Sequence, residues 1–167
     1  MDRLYSPWRE QYVSGTRKVD ENQECVFCSQ FTDNQDEKYF ILRRFKHTVV
    51  MLNLYPYNGG HLLILPIEHE SSLSGLSREA RNEMMEVVTH STQIVTDILN
   101  AQGINVGFNF GRAAGAGIPA HLHMHVLPRW QGDTNFMVTL ADTKQISIDL
   151  IELYKKLKPY FQELKIT

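Results

Sequence analysis

The stretch HLHMHVL, His121 to Leu127, places three of the chain's seven histidines at alternate positions. Successive side chains of a β-strand point to opposite faces. This spacing therefore puts His121, His123 and His125 on one face and Leu122, Met124 and Val126 on the other. The apolar triplet is expected to meet the core. Three imidazoles on a solvated sheet face would be an uneconomical surface, since histidine has no strong strand preference. Two chemical readings compete for them: joint coordination of a metal, or a division of nucleophilic and structural roles at one phosphate site. Against a catalytic three-histidine zinc centre, no carboxylate-rich or H-E-x-x-H element accompanies the strand to supply a general base.

Working outward, Pro128 is expected to end this strand. Upstream, GRAAGAGIPA (111–120) reads as a small-residue loop and INVGFNF (104–110) as another strand. KYFILRRF (38–45), HTVVMLNL (47–54) and HLLILPI (61–67) are short β-rich runs, the last two separated by turn-forming YPYNGG. One long amphipathic helix is expected over 77–102, starting at Ser77, with Ala80, Met84, Val87, Val88, Ile94, Val95 and Ile98 on its inner face and Gly103 as the stop. Ile146, Leu150, Leu153, Tyr154, Leu157, Phe161 and Leu164 mark a second helix over 144–167. Strands grouped around one long helix, without βα alternation, predict an α+β domain on a mostly antiparallel sheet.

A chain of 167 residues suits a single domain, with a core over 25–130, an N-terminal arm (1–24) and a C-terminal helical extension (144–167). Apolar residues are 43% and charged residues 22% of the chain, which points to neither disorder nor a fibrous repeat. The opening MDRLYSPWREQYV has no signal-like apolar run, and no stretch reaches the ~20 apolar residues of a membrane span, so a cytoplasmic location is expected. A net charge of −2 lacks the basic excess that polymeric nucleic acid requires. Any nucleotide partner is expected to be small.

The two cysteines, Cys25 and Cys28, lie in the polar run KVDENQECVFCSQFTDNQDEK rather than at a strand-to-helix junction of a βαβ unit. That context favours a metal clip over a redox pair. A closed tetrahedral zinc site needs two more ligands, and histidine is the usual supplier.

Taken with NLYPYNGGHLLILPIEH (53–69), the H-x-H-x-H pattern of HLHMHVL resembles the histidine-triad (HIT) superfamily of nucleotidyl hydrolases and transferases, from about Cys25 to Trp130. The resemblance implies a HIT-like fold: a five-stranded, mostly antiparallel sheet with one long helix and a C-terminal helix. It implies His123 as the nucleophile on an α-phosphate, with His125 and His61 contacting the phosphate and steadying the active ring. Chemistry supports this: a neutral imidazole attacks through one nitrogen only if an acceptor holds the other N–H, commonly a backbone carbonyl. No catalytic metal is required. Bacterial members with an N-terminal C-x-x-C are similar in binding structural zinc, which here implies Cys25, Cys28, His69 and His121 as ligands.

The glycine-rich loop, with Gly115 and Gly117, either presents backbone N–H groups to an anion or simply connects strands. Relatives often carry glutamine or a hydroxyl residue just before the triad, where this chain reads Ala116, Gly117 and Ile118. The resemblance thus leaves phosphate to backbone amides and Asn109. It places Asn53 at the ribose hydroxyls, with a turn residue as the competing reading. PRWQGDTNFM (128–137) and LYSPWREQYV (4–13) resemble the bacterial diadenosine tetraphosphate phosphorylase-like branch, in which the tryptophan matching Trp130 belongs to the substrate region; a core tryptophan is the alternative. The expected activity is cleavage of diadenosine tetra- or triphosphate, with phosphate or water as second nucleophile. A phosphoramidate hydrolase of the Hint kind and a non-catalytic nucleotide-binding protein are the alternatives. A homodimer is also implied.

Overall fold

A computed structural model describes residues 24–141 and 149–166. The N-terminal arm up to residue 23, Ile146 and the expected start of the last helix lie outside the described residues. Five strands, β1 (Ile41–Arg44), β2 (Thr48–Leu52), β3 (Leu62–Pro66), β4 (Gly103–Phe108) and β5 (Met124–Arg129), form one antiparallel sheet in the order β1-β2-β3-β5-β4. Helix α1 (Val26–Thr32) precedes the sheet, α2 (Arg78–Leu99) connects β3 to β4, and α3 (Phe136–Ala141) and α4 (Leu150–Glu163) follow β5. The expected α+β fold is present.

Alternation sorts the strands into two cores. Leu42, Val50, Leu52, Leu62, Ile64, Met124 and Val126 meet α2 and α4 on one face. Ile41, Val49, Met51, Leu63 and Leu65 meet Phe27 and Phe31 of α1 on the other. Covered on both sides, β2 and β3 are buried at every position, which explains why their sequences are unbroken apolar runs rather than alternating ones. Each aliphatic side chain so buried contributes about 1.5–3 kcal/mol.

Helix α2 starts where expected: the Ser77 hydroxyl accepts the Ala80 N–H as an N-cap. Its inner face buries Ala80, Met84, Val87, Val88 and Val95, and Ile94 and Ile98 pack partly buried beside them. It stops earlier than the sequence suggests. Asn100 adopts the left-handed cap conformation (φ 53°, ψ 42°) that asparagine tolerates, and Gly103 is the first residue of β4. Helix α4 runs only from Leu150 to Glu163, capped by Asp149, whose carboxylate accepts the N–H groups of Ile151 and Glu152.

Cys25 is the N-cap of α1. Pro128 does not end its strand as expected: it pairs with Ile104 inside β5. The β3–β5 ladder ends at Leu62↔Val126, and the Pro128 carbonyl takes the Asn58 side-chain amide at 3.0 Å. Proline is tolerated because no neighbouring strand on that side asks for its missing N–H.

Candidate active site and metal cluster

The ladder of β5 begins at Met124, so His121 and His123 precede the strand proper. The chain leading in is nonetheless tied down: the Leu122 N–H donates to the Glu70 carbonyl at 2.6 Å, and His121 Nε2 donates to the Pro66 carbonyl at 2.9 Å. Alternation therefore carries through. Leu122 joins Met124 and Val126 in the α2-side core, while Phe27 of α1 lies against the rings of His121 and His123, at centroid distances of 5.5 and 5.6 Å.

His123 Nδ1 sits 2.8 Å from the carbonyl oxygen of His121. A carbonyl only accepts, so the proton is on Nδ1 and Nε2 keeps its lone pair. Burial pushes His123 below the usual imidazole range, against the opposing pull of that hydrogen bond.

His61 comes from the turn ahead of β3 and reaches the same place. Its Nδ1 receives the Tyr57 backbone N–H at 3.1 Å and faces Asn53 Nδ2 at 3.3 Å. Both are donors, so the His61 proton must be on Nε2, which lies 2.9 Å from His125 Nδ1. His125 Nδ1 then accepts, and its own proton is directed outward on Nε2. Asn109 Nδ2 lies 3.5 Å from that nitrogen, and an amide NH2 does not accept, so the His125 N–H stays available to a ligand oxygen with the Asn109 NH2 as a second donor beside it. Burial first, then the neighbouring histidines, hold His61 down to about 3; burial and His123 hold His125 down to about 4. At neutral pH the site thus combines one nucleophilic nitrogen with a neutral donor relay.

The other expected residues are placed unevenly. Gly115 has φ +94°, and a Cβ built there would come 3.9 Å from Asn109 Nδ2, so the loop's glycine faces the Asn109–His125 end of the site. Gly117 is half-buried just before the triad. Asn53 acts as a turn residue, accepting the Tyr55 N–H at 2.9 Å, and its amide also touches His61. Trp130 is not brought in. It lies five residues past His125, roughly 16 Å along the strand, and its indole N–H donates to the Asn100 carbonyl at 2.8 Å.

Cys25, Cys28, His69 and His121 offer ligand atoms that all lie within 4.8 Å of one another. The sulfur-to-Nδ1 distances of 3.3 to 3.5 Å fit the ~3.5 Å edge of a tetrahedron built on zinc–sulfur and zinc–nitrogen bonds. His121 is fully buried, with Nε2 already committed to the Pro66 carbonyl, the outer contact that leaves Nδ1 for a metal. Burial and then the neighbouring Cys25 push the Cys28 thiol up to about 11, and a coordinated divalent cation would reverse that preference. The donor set fits a closed structural metal site.

Two contributors were not legible in the sequence. Phe27 sits between the cysteines and looks like a core residue of no special place. Tyr57 lies in a turn, and only the fold shows its ring 4.7 Å from His61 and 5.7 Å from His125.

Comparison with known proteins agrees with this geometry. Residues 34–132 match the HIT domain. The AP-4-A phosphorylase of Mycobacterium tuberculosis is 35% identical over 150 residues, covering 87% of this chain and 77% of that protein. A bis(5'-nucleosyl)-tetraphosphatase (asymmetrical) of Schizosaccharomyces pombe is 28% identical over 93 residues, 56% of this chain and 50% of that one. Among solved structures, a Zn-bound histidine triad family protein from Mycobacterium smegmatis superposes with a TM-score of 0.68 at 24% identity, covering 84% of this chain and 94% of that one.

Proposed function

The chain belongs to the HIT family, and from that premise we propose that it cleaves dinucleoside polyphosphates, diadenosine tetra- or triphosphate, through a nucleotidyl intermediate on His123. The observation that carries the reading is the 2.8 Å contact between His123 Nδ1 and the His121 carbonyl, which leaves Nε2 as the nucleophile. In the first step the Nε2–P bond forms at the α-phosphorus and the bridging P–O bond breaks, releasing the remaining nucleoside polyphosphate. The outward N–H of His125, set by His61, stabilises charge on the phosphoryl oxygens. Asn109 and the backbone of Gly115 and Gly117 complete the phosphate cradle, and Asn53 faces the ribose. Trp130 lies beyond these phosphate contacts, its indole N–H on the Asn100 carbonyl.

In the second step inorganic phosphate attacks the adduct, the N–P bond breaks and a nucleoside diphosphate leaves. Diadenosine tetraphosphate plus phosphate gives ADP plus ATP. The phosphorylase named at 35% identity supports phosphate over water here. Cys25, Cys28, His69 and His121 hold structural zinc, which takes no part in the bond changes. We further propose a symmetric homodimer acting in the cytoplasm. No helix among the described residues is long and apolar enough to cross a membrane.

Incubation with diadenosine tetraphosphate, with and without phosphate, tests the reaction: ADP and ATP should form only with phosphate. Products indifferent to phosphate would replace phosphorolysis with hydrolysis. Acid-quenched mass spectrometry should find a nucleotidyl group on His123, absent in His123→Ala with the fold retained. A fully active His123→Ala would overturn the mechanism, and an inert wild-type protein that still binds nucleotide would make it a binding protein.

A further inference from the structure

Tyr57 makes three contacts with the donor relay. Its backbone N–H donates to His61 Nδ1, its ring lies 4.7 Å from the His61 ring, and it stacks on the His125 ring at 5.7 Å and 28° between planes. The turn makes this possible. Gly60, at φ +75°, and the His61 N–H to Asn58 carbonyl bond at 3.3 Å fold the chain back, so residues 57 and 61 meet.

We infer that Tyr57 is a positioning residue, whose ring holds His125 in the one orientation that aims its N–H at the substrate phosphate. This rests on the functional reading above. The main-chain contact fixes which His61 nitrogen bears the proton, and His61 passes that choice to His125 Nδ1 across 2.9 Å. A flat ring parallel to His125 removes the remaining freedom. Without it, His125 can turn about its Cβ–Cγ bond, which swaps Nδ1 with Cδ2 and Nε2 with Cε1. A turned ring presents carbon where the relay needs an acceptor, and the oxygens of the transferring phosphoryl lose an aligned donor. Ground-state affinity depends on many contacts and should change little, whereas the transition state depends on this donor.

The test compares wild type with Tyr57→Phe, Tyr57→Leu and Tyr57→Ala, using diadenosine tetraphosphate and phosphate, with imidazole nitrogen NMR on the same proteins. Leu and Ala should lower kcat by about ten- to a hundredfold with KM within about threefold. Their His125 nitrogens should report a mixture of tautomers, and Phe should restore both readouts. Tyr57→Leu keeps apolar volume in place if the alanine variant fails to fold. Leu or Ala variants within about twofold of wild-type kcat would overturn the inference. So would reduced turnover with an unaltered His125 tautomer, or a Phe variant as weak as Leu. If wild type forms no nucleotidyl adduct, the functional reading fails instead, and the NMR comparison still decides whether Tyr57 orients His125.

Discussion

His123 takes its tautomer from the main chain of His121, whose carbonyl oxygen lies 2.8 Å from Nδ1, while the His121 side chain belongs to the cysteine–histidine cluster. One peptide therefore joins the candidate metal cluster to the proposed nucleophile, and Phe27, carried between the two cysteines, packs against both rings. Loss of the metal should be felt at phosphorus although no metal acts there. Cys25→Ser or His69→Ala should reduce bound zinc from about one per chain to near zero by elemental analysis. Stability should fall by about 3 kcal/mol or more, about 6–12 °C in Tm, with kcat falling alongside it. Variants that lose zinc yet keep wild-type Tm and kcat would refute the link.

The two relay histidines make stability fall on the acid side. In the unfolded chain an imidazole takes its proton near pH 6.5; in the fold His61 does so near 3 and His125 near 4. Between those values the unfolded state binds more protons. Their contribution is thus fully present above pH 6.5 and is lost as the pH falls towards 4, by up to about 1.4 kcal/mol per pH unit for each proton. Imidazole NMR from pH 8 to 5 should show neither ring titrating. An inflection for His61 or His125 near pH 6.5 would contradict the burial that places them.

Gly60 cannot be replaced cheaply. A Cβ there would stand 2.5 Å from Leu99 Cδ1 and 3.2 Å from Pro128 Cγ, at a backbone φ of +75°. Gly60→Ala should cost about 1–3 kcal/mol in a urea melt. Because this turn aims His61, kcat should drop as well. A neutral melt would mean that Leu99 yields freely and the turn is not constrained.

The Asp133 carboxylate, 7% exposed, accepts from Arg129 Nε at 2.6 Å, Arg129 Nη2 at 3.0 Å and Asn58 Nδ2 at 2.8 Å, tying the end of β5 to the His61 turn. Asp133→Ala removes one acceptor from Asn58, which keeps the Pro128 carbonyl, and leaves the Arg129 guanidinium only Asn105 Oδ1 among the described residues. A loss of about 2–3 kcal/mol is expected, with a change in Trp130 fluorescence, since the Trp130 backbone N–H also donates to this carboxylate and its loss frees the residue that carries the indole. Unchanged emission and stability would show the network to be incidental.

What could be read beforehand and what could not divide along physical lines. The α2 helix was legible because 22 residues repeat an apolar period often enough to stand out and Ser77 supplies a local cap. The histidine faces were legible because alternation survives even where the ladder has not begun. Helix α1 was not, since seven residues give under two turns and its two apolar anchors, Phe27 and Phe31, find their partners only across the sheet. Pro128 was misread because its tolerance depends on where a neighbouring strand ends. Tyr57 looked like punctuation, because a stack between residue 57 and residue 125 leaves no trace in local spacing.

Strand β4 closes the sheet next to β5, with no further strand beside it among the described residues, and four of its six positions are exposed, Val106 at 46%. A row of open main-chain groups beside the exposed Val106 lowers its free energy by meeting another such row. Dilution thereby becomes a variable: with a partner on that edge, melting temperature and specific activity measured at nanomolar protein will lie below those measured at micromolar.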